Sequence, residues 1–271
     1  MELKPQPLAW QWWALLVPSL LALCGLLRYG LAREAAEASP ARWSNVEILA
    51  ATALALAAHL SGVSIVHQLD VPPFTTGSAL GLAAIASFGF MAAVVLLFLA
   101  ATRRPGEVVG LVFPRSARNF AAVALAMPVF LAPIEVLTWG WKWTLVSLGA
   151  TPQLQIPAAR YMDAIERGDG WGIAFLAVGA LAAAPVAEEL FFRGFLASVL
   201  RERVGSMAEL IVTSAVFALF HGESSVMLPI FAVGLVLHCI VRATGCLAYP
   251  ILFHAVFNLN SLARLHGAWE R

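Results

Sequence analysis

The sequence predicts an all-α protein, a polytopic transmembrane helical bundle of about eight spans, each near the twenty apolar residues that cross a bilayer as a helix. Three observations carry that expectation. First, 61% of the 271 residues are hydrophobic and 12% charged, with a mean hydropathy of +0.82. A soluble domain carries about 25% charged residues, so there is too little polar side chain here to coat a water-facing surface, and lipid must be the solvent. Second, apolar stretches of span length recur along the whole chain. Third, ionisable residues inside those stretches are concentrated in the second half. The net charge of +1 gives no footprint for nucleic acid; the bilayer is the expected partner.

Taken in order, the expected spans are Leu8–Leu27, Val46–Val66, Ala79–Ala101, Asn119–Trp139, Trp171–Leu190, Glu209–His221, Val226–Val241 and Cys246–Ala263. Leu8–Leu27 is longer than the roughly 7–15 residues of a signal-peptide core and reads as a first membrane helix. Cys24 follows Leu23, where a lipoprotein site needs a small residue. Cys24, Cys239 and Cys246 therefore read as small hydrophobes, with no ligand-like spacing. Residues 1–150 form an amino-terminal set of spans and 151–170 a loop or interfacial segment, with Tyr161–Arg167 as a short interfacial helix. Arg28, Arg33, Arg42, Arg103, Arg104, Arg115, Arg118, Arg201, Arg203 and Arg242 fall on one side of this arrangement. Lys4, Lys142, Arg160, Arg167, Arg264 and Arg271 fall on the other. The positive-inside rule then places both termini outside the cytoplasm.

A charged side chain near the bilayer centre costs about 2.5–3.5 kcal/mol on insertion scales, so each ionisable residue in a span needs a reason. In Glu188-Glu189-Leu190-Phe191-Phe192-Arg193, Glu189 and Arg193 are four apart and share a helix face in the favourable order for an ion pair. Glu188 is turned about 100° away and stays clear of that pair. Pro185, one turn earlier, is placed to kink the helix. Desolvation makes a carboxylate a better base, which is what activating water near neutral pH requires. The alternative is that the three charged residues cap a helix end at the interface. Phe217 and His221 share a face four residues apart, as do His254 and Asn258. An imidazole and an amide inside an apolar span either donate to a developing oxyanion or act as interhelical glue. Together the three patterns supply a base, a partner to orient water, and oxyanion donors.

These motifs, Glu188–Arg193, Phe217–His221 and His254–Asn258, resemble in order and spacing the Glu-Glu-x-x-x-Arg, Phe-x-x-x-His and His-x-x-x-Asn set of the CAAX-protease and bacteriocin-processing (CPBP) family of intramembrane proteases. Arg242-Ala243-Thr244-Gly245-Cys246-Leu247 and Pro250–His254 are also similar to that family's last two spans. The resemblance runs over roughly Gly170–Ala263 and implies a protease core at 171–266 around a polar intramembrane active-site cavity. It implies that Glu188 and His221 hold and activate the attacking water, that His254 and Asn258 stabilise the oxyanion, and that Glu189 and Arg193 support the site. Members have been described both as glutamate-type and as metalloproteases. The favoured reading needs no cofactor; the alternative is zinc on Glu188, His221 and His254, an open His₂-carboxylate set, although no His-Glu-x-x-His stands in the chain.

His238 departs from the pattern, where a small residue is common, and reads as structural. Glu135, beside Pro133, lines a substrate path or packs in the bundle. His59, His67 and Asp70 read as interfacial. The resemblance implies an endopeptidase acting near the carboxyl terminus of a membrane-associated protein. Abundant alanine and arginine with few lysines suggest a bacterial chain, hence the bacterial inner membrane, where prenylated substrates are not expected. The alternatives are a non-catalytic scaffold or bacteriocin-immunity protein, in which Glu188→Gln is tolerated, and a small transporter, which the lack of an evident inverted repeat disfavours.

Overall fold

The computed structural model describes residues 25, 43–68, 77–103, 106–112 and 117–269. Leu8–Leu27 and Cys24 lie outside the described residues apart from Gly25, as do Asp70 and the side chains of His59 and His67. Every described helix or strand is a helix: α1 Asn45–Gln68, α2 Gly77–Ala101, a short 3₁₀ turn Gly106–Val109, α3 Ala117–Ser147, α4 Ile156–Glu166, α5 Gly170–Val204, α6 Ser206–Phe220, α7 Ser224–Thr244 and α8 Ala248–Trp269. Each expected span from Val46 onward falls on one of them. Among the described residues α2, α5 and α7 are long and apolar enough to cross a membrane, and α6 and Asn45–Ala57 are shorter apolar helices. The 25 residues of α2 extend about 37 Å, more than a hydrocarbon core of about 30 Å. The chain is an integral membrane protein of all-helical architecture.

Two compact units divide the described chain, one from Val112–Leu154 and Leu200–Phe253, the other from Ala41–Leu111, Gln155–Val199 and His254–Arg271. In the second unit, α1 starts at a reciprocal cap: the Ser44 backbone N–H donates to Glu47 Oε2 at 2.7 Å, and the Glu47 N–H donates to Ser44 Oγ at 3.2 Å. Close packing of α2 on α5 depends on Gly81. A Cβ there would stand 2.6 Å from Phe175 Cβ and 2.7 Å from the Leu176 nitrogen, so only glycine lets the backbones approach this closely. Asp169 caps the start of α5, its Oδ1 accepting from the Gly172 N–H at 2.8 Å. The short helix expected at Tyr161–Arg167 begins at Ile156, because Pro157 is suited to a first helical turn. Its Tyr161 and Ala164 bury against Leu176 of α5. Trp43 stacks on Phe98 at 5.9 Å and meets the edge of Phe195 at 5.3 Å, which anchors the middle of α5.

The first unit is built on α6 and α7, with α3 alongside α7. Gly234 of α7 sits on Ser214 of α6, where a Cβ would stand 3.0 Å from the serine Cβ. The Trp141 indole donates to the Ser224 carbonyl at 2.9 Å, and the Ser225 hydroxyl to the Gln153 carbonyl at 3.0 Å. These bonds tie the end of α3 and the loop after it to the start of α7.

Candidate active site

Helix α5 is not a uniform α-helix. It runs Gly170–Val178 as α, widens to a π-helical stretch at Gly179–Ala183, returns to α at Ala184–Glu188, and widens again at Glu189–Leu196. Wide turns of this kind are rare and are frequent at functional sites. The first has a visible cause. Pro185 has no N–H, so a regular ladder cannot run through this point. The Ala184 N–H reaches back five residues to the Gly179 carbonyl, and Ala180, five residues before Pro185, finds no N–H there. The carbonyl of Ala180 instead accepts from Asn258 Nδ2 of α8 at 2.7 Å.

The paired glutamates follow at the junction of the α and π stretches, both buried. Arg193 Nη1 donates to Glu189 Oε1 at 2.8 Å, with both side chains fully out of solvent. This is the expected ion pair across one turn. His254 Nδ1 lies 3.0 Å from the same Glu189 oxygen, and its Nε2 lies 3.8 Å from Glu188 Oε2. An ionised carboxylate only accepts, so Nδ1 carries the proton and Nε2 is turned to Glu188. One imidazole thus spans both glutamates, and the buried Arg193 offsets the charge of Glu189. Glu188 Oε2 is buried and has no hydrogen-bond partner among the described residues. At 3.8 Å, it and the imidazole are spaced for a bridging water rather than a direct bond.

Phe217 and His221 stand in the first unit, at the end of α6. The His221 Nδ1 is 2.9 Å from the Phe217 carbonyl oxygen, so it donates there and leaves Nε2 as the acceptor. The Phe217 ring, fully buried, meets the imidazole edge-on at 4.8 Å. Gly222, with φ of 67°, follows at once; a left-handed residue stops the helix there. The four-residue spacing therefore sets both the tautomer and the pose of His221.

A second charged cluster in the first unit was not anticipated. Glu209 of α6 is buried, with His238 Nε2 at 2.9 Å from Oε1 and Arg242 Nη2 on Oε2 at 2.5 Å. Arg242 also donates to the Ser206 carbonyl, and Arg201 Nε is 3.8 Å from Glu209 Oε2. A glutamate in the first turn of a helix is ordinary on dipole grounds, and nothing in its spacing signals partners on α7. His238 of α7 is accounted for by this carboxylate. Glu135 of α3 is buried, at 6% exposure.

Among the described residues no three His, Cys, Asp or Glu side chains gather as a metal-ligand set.

Residues 170–260 match the family model described as Rce1-like, Type II CAAX prenyl endopeptidase Rce1-like. No curated protein and no solved structure matches the chain.

Proposed function

We propose that the protein, whose residues 170–260 match the Rce1-like, Type II CAAX prenyl endopeptidase family model, is an intramembrane endopeptidase. It cuts a peptide bond near the carboxyl terminus of a membrane-associated protein. The observation that carries this reading is the buried Glu188 carboxylate oxygen facing His254 Nε2 across 3.8 Å, with no hydrogen-bond partner among the described residues. A carboxylate held in an apolar bundle without a fixed donor is a base reserved for a mobile one.

In the proposed reaction a water bound at Glu188 gives its proton to the carboxylate as its oxygen adds to the scissile carbonyl carbon. The carbonyl π-bond electrons move to oxygen, forming the tetrahedral oxyanion. By the resemblance His254 and Asn258 stabilise that charge: His254 donates to it only as the imidazolium, with a proton on Nε2 as well as on the Nδ1 that faces Glu189, and Asn258, one of whose N–H groups is given to Ala180, has a second to offer. Glu188 then returns the proton to the departing amine, the C–N bond breaks, and a free amine and a new carboxylic acid leave, the acid giving its remaining proton to the amine or to water. Glu189 holds the Nδ1–H side of the imidazole in place, and Arg193 holds Glu189. By the resemblance, His221 joins Glu188 in binding the water, and its Nε2 is the nitrogen left to do so. The chain is read as a bacterial inner-membrane protein.

The test is carboxyl-terminal proteomics of host membranes from three strains: wild type, a deletion, and Glu188→Gln expressed at the wild-type level. The same membrane proteins keep longer tails in both mutants, which also names the substrates. If Glu188→Gln matches wild type in tails and phenotype while the deletion does not, the protein is a scaffold or immunity protein.

A further inference from the structure

We propose that Asn258 is a positioning residue that holds the wide turn carrying Glu188, in addition to any contact with the reacting oxygen. The inference rests on the endopeptidase reading and adds a role for one amide proton. Three facts converge. The Ala184 N–H bonds to Gly179, five residues back. Pro185, five residues after Ala180, has no N–H to give. Asn258 Nδ2 fills the resulting need at 2.7 Å. A buried carbonyl left without a donor is costly, so the turn Gly179–Ala183 and the amide on α8 are set for each other. Glu188 closes the short α segment Ala184–Glu188 that starts where this turn ends. His254 is one turn before Asn258 on the same helix and lies against both glutamates. The Asn258–Ala180 bond therefore sets the height of α8 against α5, and with it the gap between His254 Nε2 and Glu188 Oε2.

The prediction is a coupling between Asn258 and Pro185. Pro185→Ala restores a backbone N–H to this turn and gives Ala180 an intrahelical donor. The full chain in lipid nanodiscs is compared as wild type, Asn258→Ala, Pro185→Ala and the double variant. Amide hydrogen exchange is followed over Gly179–Glu188. Cleavage is followed on a purified membrane protein whose tail Glu188→Gln preserves. Asn258→Ala speeds exchange in this stretch and lowers kcat about a hundredfold, the loss expected for a misplaced catalytic group, with KM unchanged. Pro185→Ala restores the protection lost in Asn258→Ala, and the double variant is no slower than the slower single.

Exchange at the wild-type rate in Asn258→Ala, or kcat losses that multiply in the double variant, overturns the proposal: Asn258 then serves the oxyanion alone. If Glu188→Gln preserves no tail, the protease reading fails by itself, and the exchange arm still decides whether Asn258 holds the turn.

Discussion

Glu189 receives both Arg193 Nη1 and His254 Nδ1 on one oxygen, and none of these three side chains is more than 4% exposed. The pairing makes their removal asymmetric. Glu189→Gln breaks the buried pair with Arg193, which costs about 3–5 kcal/mol. Glu189→Gln with Arg193→Met removes both charges and recovers most of that loss. Thermal unfolding of the purified chain in nanodiscs measures the difference; a double variant as unstable as the single one contradicts it. Glu188, which carries no such bond, behaves differently. Glu188→Gln leaves the unfolding midpoint near wild type and lowers tail cleavage by about 10²–10⁴-fold, the usual contribution of a positioned acid–base group. At this scale the local contacts of the candidate site are legible in the sequence. The four-residue spacings of Glu189 with Arg193 and of Phe217 with His221 are local geometry, and both produce the contacts they imply. The partners of Glu209 were not legible, because His238 and Arg242 reach it from another helix, and sequence spacing does not report which faces of two helices meet.

At the level of the helix, each apolar stretch expected from Val46 onward falls on a helix, and among the described residues three of these helices are long and apolar enough to cross a bilayer. The wide turns of α5 escaped, since a five-residue hydrogen bond has no side-chain periodicity of its own. Pro185 announced a break, but a kink and a wide turn share that signal. What distinguishes them is the donor offered to Ala180, and Asn258 is 78 residues away. Two predictions belong here. Gly81→Leu forces α2 from α5, since even a Cβ would stand 2.6 Å from Phe175 Cβ. Overpacking of this kind costs about 1–3 kcal/mol or more, read as a lower unfolding midpoint; an unchanged midpoint means that the two helices do not pack here. Arg242→Met removes the shortest contact to buried Glu209 and is expected to destabilise by about 3–5 kcal/mol as a broken buried pair. Replacing Glu209 by Gln in the same chain recovers part of it, and a double variant no more stable than Arg242→Met argues against the pair.

For the whole molecule, the distribution of arginine and the length of α5 make one joint prediction about orientation. Gly170–Val204 has 35 residues, about 52 Å as a helix, which exceeds the hydrocarbon thickness by several turns. Its last turns carry Arg201 and Arg203, both exposed, so this end stands clear of lipid on the arginine-rich side. The turn after α3 at Gly149 belongs to the opposite side if α5 crosses once. Reporter fusions after Gly110 and Gly205 are therefore expected to be cytoplasmic, and fusions after Gly149 and at Arg271 to be external, as read by a phosphatase that is active only outside the cytoplasm. The pattern depends on the number of crossings as well as on charge. Activity after Gly149 and Gly205 alike means that α5 does not cross, and the expected count of spans falls. A wholly reversed pattern keeps the crossings and sets aside the arginine rule for this chain, leaving the proposed chemistry of Glu188 and His254 unchanged but opening it to substrates from the other face of the membrane.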